Sequence, residues 1–137
     1  MSDGEYDLGS AELEVMKALW DEGPGTVREI LSRLQNRGRD LAYTTVQTFL
    51  SRLEQKGFVQ SDKSGLAFRY KHRVSRDRIG RSRLRSLMEE VYGGAAGPLV
   101  LQLVRSERLE PAEIEELLQQ HPAVARAGVA GAAAPEQ

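Results

Sequence analysis

Cysteine is absent from the 137 residues, which excludes a disulfide framework and any thiolate metal site. Aromatic residues make up only 6%, so Leu, Val and Ile must build most of a core, with Trp20, Phe49, Phe58 and Phe68 as its few large anchors. No apolar run approaches the ~20 residues that a membrane-spanning helix needs. The opening MSDGEYDLGS is acidic and polar where a secretory signal would be basic and then apolar. Together these absences predict a soluble protein of the cytoplasm. Histidine occurs twice, at His72 and His121, without the H-E-x-x-H spacing of a metal site. Neither G-x-x-x-x-G-K-[ST] nor G-x-S-x-G occurs. The acidic pairs and triplets, Glu89-Glu90 and Glu113-Glu115-Glu116, fall on amphipathic helical patterns. An enzyme is not expected, nor a bound metal or cofactor.

What the chain does carry is charge sorted by position. The net charge is −1, but residues 24–88 hold fifteen Lys and Arg against five Asp and Glu. The first twenty-three residues have one Lys against seven acids, and residues 89–137 have three Arg against eight. A basic centre between acidic flanks is the footprint of a surface that meets phosphates.

Helical periodicity begins at residues 10–22, where Leu13, Met16, Leu19 and Trp20 recur on one side, Ser10 is placed as N-cap, and Gly23-Pro24-Gly25 ends the run. Thr26-Val27-Arg28-Glu29 fits a capping box and opens a second helix with Val27, Ile30, Leu31 and Leu34 inward and Gly38 as its stop. A third helix, Tyr43 to Lys56, repeats that capping spacing at Thr44 to Gln47. Its inward residues are Val46, Phe49, Leu50 and Leu53, and Gly57 terminates it. Phe58 to Ser61 and Ala67 to His72 then read as strands about the turn Asp62-Lys63-Ser64-Gly65, a β-hairpin. Three short helices and a hairpin in a basic segment predict a winged helix-turn-helix.

From Ser75, a second regime starts. Ser75 can cap a helix carrying Ile79, Leu84, Leu87, Met88 and Val91, broken at Gly93-Gly94. Pro98 opens a helix, Leu99 to Val104, apolar on nearly every side and too greasy for a small monomer's surface. Glu110-Pro111 begins the last helix, with Leu109 and Ile114 placed as a staple and Leu117 and Leu118 continuing the stripe. After His121-Pro122 the composition turns to Ala, Gly and Pro, the signature of a disordered tail.

Two surfaces carry candidate chemistry. The outer face of the third helix presents Thr44, Thr45, Gln47, Thr48, Ser51, Arg52 and Gln55. These hydroxyls, amides and one guanidinium suit base edges: Gln for adenine, Arg for guanine, a Thr methyl for the thymine methyl. The same residues also fit a solvated helix in which Thr44 and Gln47 only cap. On the hairpin, Lys63, Arg69, Lys71 and Arg73 suit phosphates, with Arg69, Lys71 and Arg73 on the strand face opposite Phe68 and Tyr70. An edge strand kept from aggregating by charge also fits them, but the basic excess of the whole region favours nucleic acid. From Arg81 onward the arginines read as the wet side of a dimerisation helix.

At this point the residues resemble a known family. Ala11-Glu12-Leu13-Glu14-Val15-Met16 with Leu19-Trp20 is followed by Ala42-Tyr43-Thr44-Thr45-Val46-Gln47-Thr48 with Arg52-Leu53 and Lys56-Gly57. Tyr92-Gly93-Gly94, Leu99-Val100-Leu101 and Glu113-Ile114-Glu115-Glu116-Leu117 come next, in the order and spacing of the penicillinase-repressor family, the BlaI/MecI/CopY transcriptional regulators. The resemblance covers about Leu8 to Gln120. It implies an N-terminal winged helix on palindromic operators with TACA/TGTA-like half-sites, and a C-terminal helical arm that makes the homodimer. By position it implies DNA contacts from Thr44, Thr45, Gln47, Thr48, Arg52, Lys63, Arg69 and Lys71. Copper-responsive members carry a C-terminal cysteine cluster, which is missing here. In members that answer β-lactams, a membrane-bound metalloprotease sensor cuts an Asn-Phe bond in the arm. The aligned pair here is Gln102-Leu103, an amide followed by an apolar residue but a different dipeptide.

The expectation is therefore a mainly α chain with a small β-hairpin: a winged helix-turn-helix over residues 8–74, a helical dimerisation domain over 75–120 and a disordered tail over 121–137. Dimerisation falls to Leu84, Leu87, Val91, Leu99, Val100, Leu101, Leu103, Val104, Ile114, Leu117 and Leu118. A homodimeric repressor on double-stranded operator DNA is the function expected, without membrane insertion, and with a membrane metalloprotease sensor as a candidate partner. The rival is a winged-helix adaptor that binds protein through its apolar arm.

Overall fold

A computed structural model describes residues 8–106 and 108–120, so the expected tail over 121–137 lies outside the described residues. Two compact units divide between Ser86 and Leu87. In the first, the elements run α1 (Ser10–Glu22), β1 (Gly25–Thr26), α2 (Val27–Asn36), α3 (Tyr43–Lys56), β2 (Val59–Asp62), β3 (Arg69–His72) and then the start of α4 (Arg76–Tyr92). This is the order of helices and hairpin that the periodicity predicts. The hairpin gains a third strand: β1 pairs antiparallel with β3, Gly25 opposite Tyr70 and Thr26 opposite Arg69. On the other side, Val59 faces His72 and Asp62 faces Arg69, giving the order β1-β3-β2. Two residues are too few to show alternation, which is why β1 carries no signal of its own.

Apolar side chains from all three helices and the sheet fill one core. Val15, Met16, Leu19, Ile30, Leu34, Val46, Leu50 and Leu53 are almost wholly removed from solvent, as are Phe58 and Val59. Tyr70 and Ile79 join them from β3 and α4. Phe58 is the anchor expected of it and Phe49 is partly buried. Phe68 is not an anchor, because it stands before β3, outside the paired register, and is 47% exposed.

Helix ends follow local chemistry, with two corrections to the expected caps. Gly9, in extended conformation, caps α1, and its N–H donates to Glu12 Oε1 at 3.2 Å; Ser10 is already helical. At the start of α3, Ala42 is the cap and no side chain bonds to it, so Thr44 and Gln47 lie inside the helix and do not close a capping box. The box at α2 is present in full: Thr26 N–H donates to Glu29 Oε1 at 2.9 Å and Glu29 N–H to Thr26 Oγ1 at 3.2 Å. Gly57 ends α3 at φ +88°, a left-handed conformation that glycine adopts without a Cβ penalty. Ser75 Oγ accepts from Arg78 N–H at 3.1 Å and caps α4.

The second unit holds the end of α4, α5 (Gly97–Arg105) and α6 (Pro111–Gln120). Gly93 and Gly94 adopt positive φ where the helical pattern breaks. Pro98 lies in the first turn of α5, one residue inside its start. Neither α5 nor α6 has a buried residue. Among the described residues no helix is long and apolar enough to cross a membrane.

Candidate nucleic-acid interface

The geometry of α3 sorts its side chains completely. Val46, Leu50 and Leu53 point into the core with no exposure. Thr44, Gln47, Thr48, Ser51, Arg52 and Gln55 are exposed, and Thr45 is half-buried at the edge of that face. The five exposed positions from Gln47 to Gln55, with Phe68 and Tyr70, line a groove of about 480 Å³ between the helix and the hairpin. A second groove, of about 420 Å³, opens at the N-terminal end of α3, where Arg28, Tyr43 and Gln47 face Leu66, Phe68 and Tyr70. Arg28 lies over the Tyr43 ring at 5.3 Å, a cation–π pair across the turn between α2 and α3. Sequence spacing held no signal for this pair, since the loop 37–42 sets where the two helix starts meet.

The hairpin is stiffened at its tip. Asp62 Oδ1 accepts from Ser64 N–H at 2.9 Å and from Ser64 Oγ at 2.7 Å. Hydrogen bonds from Ser64, and then the positive charges of Lys71 and Arg69, hold the Asp62 carboxyl below the usual aspartate range. Lys63 sits over the Phe68 ring at 5.3 Å, which gives that exposed aromatic its contact. Leu66 is fully exposed at the tip.

The cations expected on the hairpin differ in their surroundings. Lys63 and Lys71 are exposed. Arg69 is exposed too but is tied inward: Nη1 reaches Glu29 Oε1 at 3.4 Å and Nη2 donates to Pro24 O at 3.2 Å. Together with the Thr26–Arg69 pairing, these contacts fasten the hairpin to the entry of α2. The Thr26 N–H, and then the Arg69 and Arg33 charges, hold Glu29 below its ordinary range. Arg73 lies past the end of β3, where its N–H donates to Phe58 O at 2.7 Å.

In the second unit, most of the expected dimerisation residues are left uncovered by their own chain. Leu87, Val91, Val100, Leu101, Leu103, Leu117 and Leu118 are 39–62% exposed. Leu99, Val104 and Ile114 are half-buried. Gln102, the expected cleavage position with Leu103, is exposed on α5. Leu84 belongs to the first unit and is also exposed.

The sequence pattern of the penicillinase repressor family matches residues 8–121. The chain belongs to that family. It is similar to the methicillin resistance regulatory protein MecI of Mammaliicoccus sciuri, at 33% identity over 117 residues, 85% of this chain and 94% of that one. The penicillinase repressor of Bacillus licheniformis is 30% identical over 112 residues, 82% of this chain and 87% of its own. Among solved structures, the DNA-binding domain of the repressor BlaI in solution is 30% identical and covers 53% of this chain and 87% of its own, with a TM-score of 0.47. As a member of this family the chain is a winged-helix repressor.

Proposed function

We propose that the protein is a homodimeric transcriptional repressor that inserts α3 into the major groove of a palindromic operator. The observation that carries this reading is the outward face of α3. It is solvent-exposed and built from Thr44, Gln47, Thr48, Ser51, Arg52 and Gln55, with no acidic residue among them. Amides, hydroxyls and a guanidinium are the donors and acceptors that discriminate base pairs in the major groove. Lys63 and Lys71 of the hairpin and Arg28, in the first turn of α2 beside the start of α3, then meet phosphates, which position without reading sequence. Two such units would span half-sites about one helical turn apart, ~34 Å.

Residues 8–74 form the DNA-binding domain in this reading, and 75–120 form the arm that joins two copies. Support for the second assignment is the row of exposed leucines and valines on α4, α5 and α6. Operator affinity then depends on the arm, because one winged helix makes too few contacts alone. A cut between Gln102 and Leu103 by a membrane metalloprotease sensor would separate the subunits and release DNA in the cytoplasm. Both residues are exposed on α5 of the single chain. Incubation with a cognate membrane metalloprotease sensor should yield fragments that divide between Gln102 and Leu103; an intact chain would remove the proteolytic part of the proposal.

The central test is binding to duplex DNA across a salt series, with sedimentation of the free protein. A repressor of this kind prefers an inverted repeat from its own locus to random duplex, and its affinity falls steeply with salt as counterions are released. Sedimentation as a single subunit at micromolar concentration, with no preference for any inverted repeat, would overturn the reading.

A further inference from the structure

Thr48 stands in the middle of the outward face of α3, yet its hydroxyl is turned back. Thr48 Oγ1 donates to Thr44 O, one turn earlier, at 3.0 Å, the back-bond open to serine and threonine in helices. A hydroxyl has one proton to give. With that proton held inside the helix, the side chain has no donor for a base edge. The other γ substituent is a methyl group, and the same bond fixes it, because χ1 of a β-branched residue occupies few wells in a helix. Gln47, Ser51 and Arg52 flank it on the exposed surface and line the same groove. Thr48 thus places one apolar point inside a polar reading face. In the major groove only thymine offers an apolar partner, its C5-methyl group.

We infer that Thr48 reads a thymine through its methyl group, so that the protein senses the thymine C5-methyl at one position of each half-site. The inference rests on α3 entering the major groove, as proposed above, and assigns to one side chain the group it recognises and the chemistry it does not use.

The test uses the full-length protein and a duplex selected by it from a randomised pool. Each thymine of that duplex is replaced in turn by deoxyuridine, which pairs identically but lacks the methyl group. One replacement per half-site should weaken binding by about fourfold, the value of one buried methylene-sized group, and the others should leave it unchanged. Thr48→Val keeps the methyl and loses the hydroxyl; it should keep the same deoxyuridine sensitivity. Thr48→Ser keeps the hydroxyl and loses the methyl; it should bind about fourfold more weakly per half-site and become indifferent to that replacement. The opposite pattern, with Ser tolerated and Val impaired, would show that the hydroxyl does the reading. A selected consensus whose thymines all accept deoxyuridine would overturn this assignment alone and leave the repressor intact. A pool that returns no consensus would overturn the repressor reading and this inference with it.

Discussion

Trp20 Nε1 donates to the carbonyl oxygen of Val74 at 3.0 Å, across fifty-four positions of sequence. The bond ties the end of α1 to the residue that leads into α4. Arg76, in the first turn of α4, lies over the same indole at 5.3 Å and pairs with Asp21. Asp21 also receives Arg37 from the end of α2 at 2.9 Å. The Arg76 and Arg37 hydrogen bonds hold the Asp21 carboxyl below the usual range. One indole and one carboxylate therefore gather three helix ends at a single point.

Replacing Trp20 by Phe keeps most of the ring and removes the hydrogen bond. It should cost about 1–3 kcal/mol, because the Val74 carbonyl loses its partner in a partly buried place. Urea denaturation followed by circular dichroism measures this, since the only tryptophan is gone. A change within about 0.5 kcal/mol, as at an ordinary surface site, would mean that the bond does not matter to the fold.

Glu12 gives the fold a pH dependence of known sign. It is 6% exposed, and it accepts from Lys56 Nζ at 3.0 Å and from Gly9 N–H. Burial pushes its carboxyl up, but the Lys56 hydrogen bond, the Gly9 N–H and the positive charges of Lys56 and Arg52 outweigh it and hold the group below its ordinary value of 4.5. A depressed folded-state value stabilises the fold above the unfolded value, and the contribution fades as pH falls through the lower folded one. Urea midpoints should therefore drop below about pH 4.5, less steeply for Glu12→Gln than for the parent. Lys56→Met should cost about 1–3 kcal/mol near neutral pH by leaving the buried carboxylate short of a partner.

Arg69 and Lys71, equivalent on the sequence pattern, should separate in experiment. Lys71→Ala should weaken operator and random duplex about equally and lower the salt slope by about 1. Arg69→Ala breaks the ties to Glu29 and Pro24, so it should also lower the urea midpoint of the free protein. Gln47→Ala should instead reduce the preference for operator over random duplex, by about 1–3 kcal/mol if its amide pairs bidentately with a base. Filter binding on both duplexes, with denaturation of each free variant, resolves the three outcomes.

Charge placed in the arm should act through assembly. Leu101→Asp substitutes a carboxylate at a position 47% exposed in the single chain and outside the core of the first unit, so that unit should still fold. Its sedimentation should shift to the single-subunit species, and operator affinity should fall with it. Unchanged sedimentation would place the contact between copies elsewhere.

Much of this arrangement was legible in the residues because helices announce themselves twice, by period and by their ends. Thr26 and Glu29 satisfy each other's backbone donors at the spacing of a capping box, and Gly57 stops a helix because glycine enters the left-handed region freely. Three features were not legible. Gly25 and Thr26 pair with β3 through backbone groups, which leave no mark in side-chain pattern. The cap of α1 depends on Glu12 reaching Gly9, a choice Ser10 could equally have invited. Arg69 reads as one more hairpin cation until the fold brings Glu29 and Pro24 beside it. On the site, the pattern identified which face of α3 looks outward, because Val46, Leu50 and Leu53 define the opposite one. It did not reveal that Thr48 bonds to its own helix.

Beyond Ile79 no described residue is buried. Isolated helices of this length are marginal in water, so if a second copy covers them, as proposed, shaping the arm and pairing the subunits become one event. That event scales with the square of subunit abundance, so a cell making half as much protein would hold roughly a quarter as many closed pairs when pairing is sparse. Repression would then switch over a narrow span of expression, and the arm would act as a census of how many copies are present.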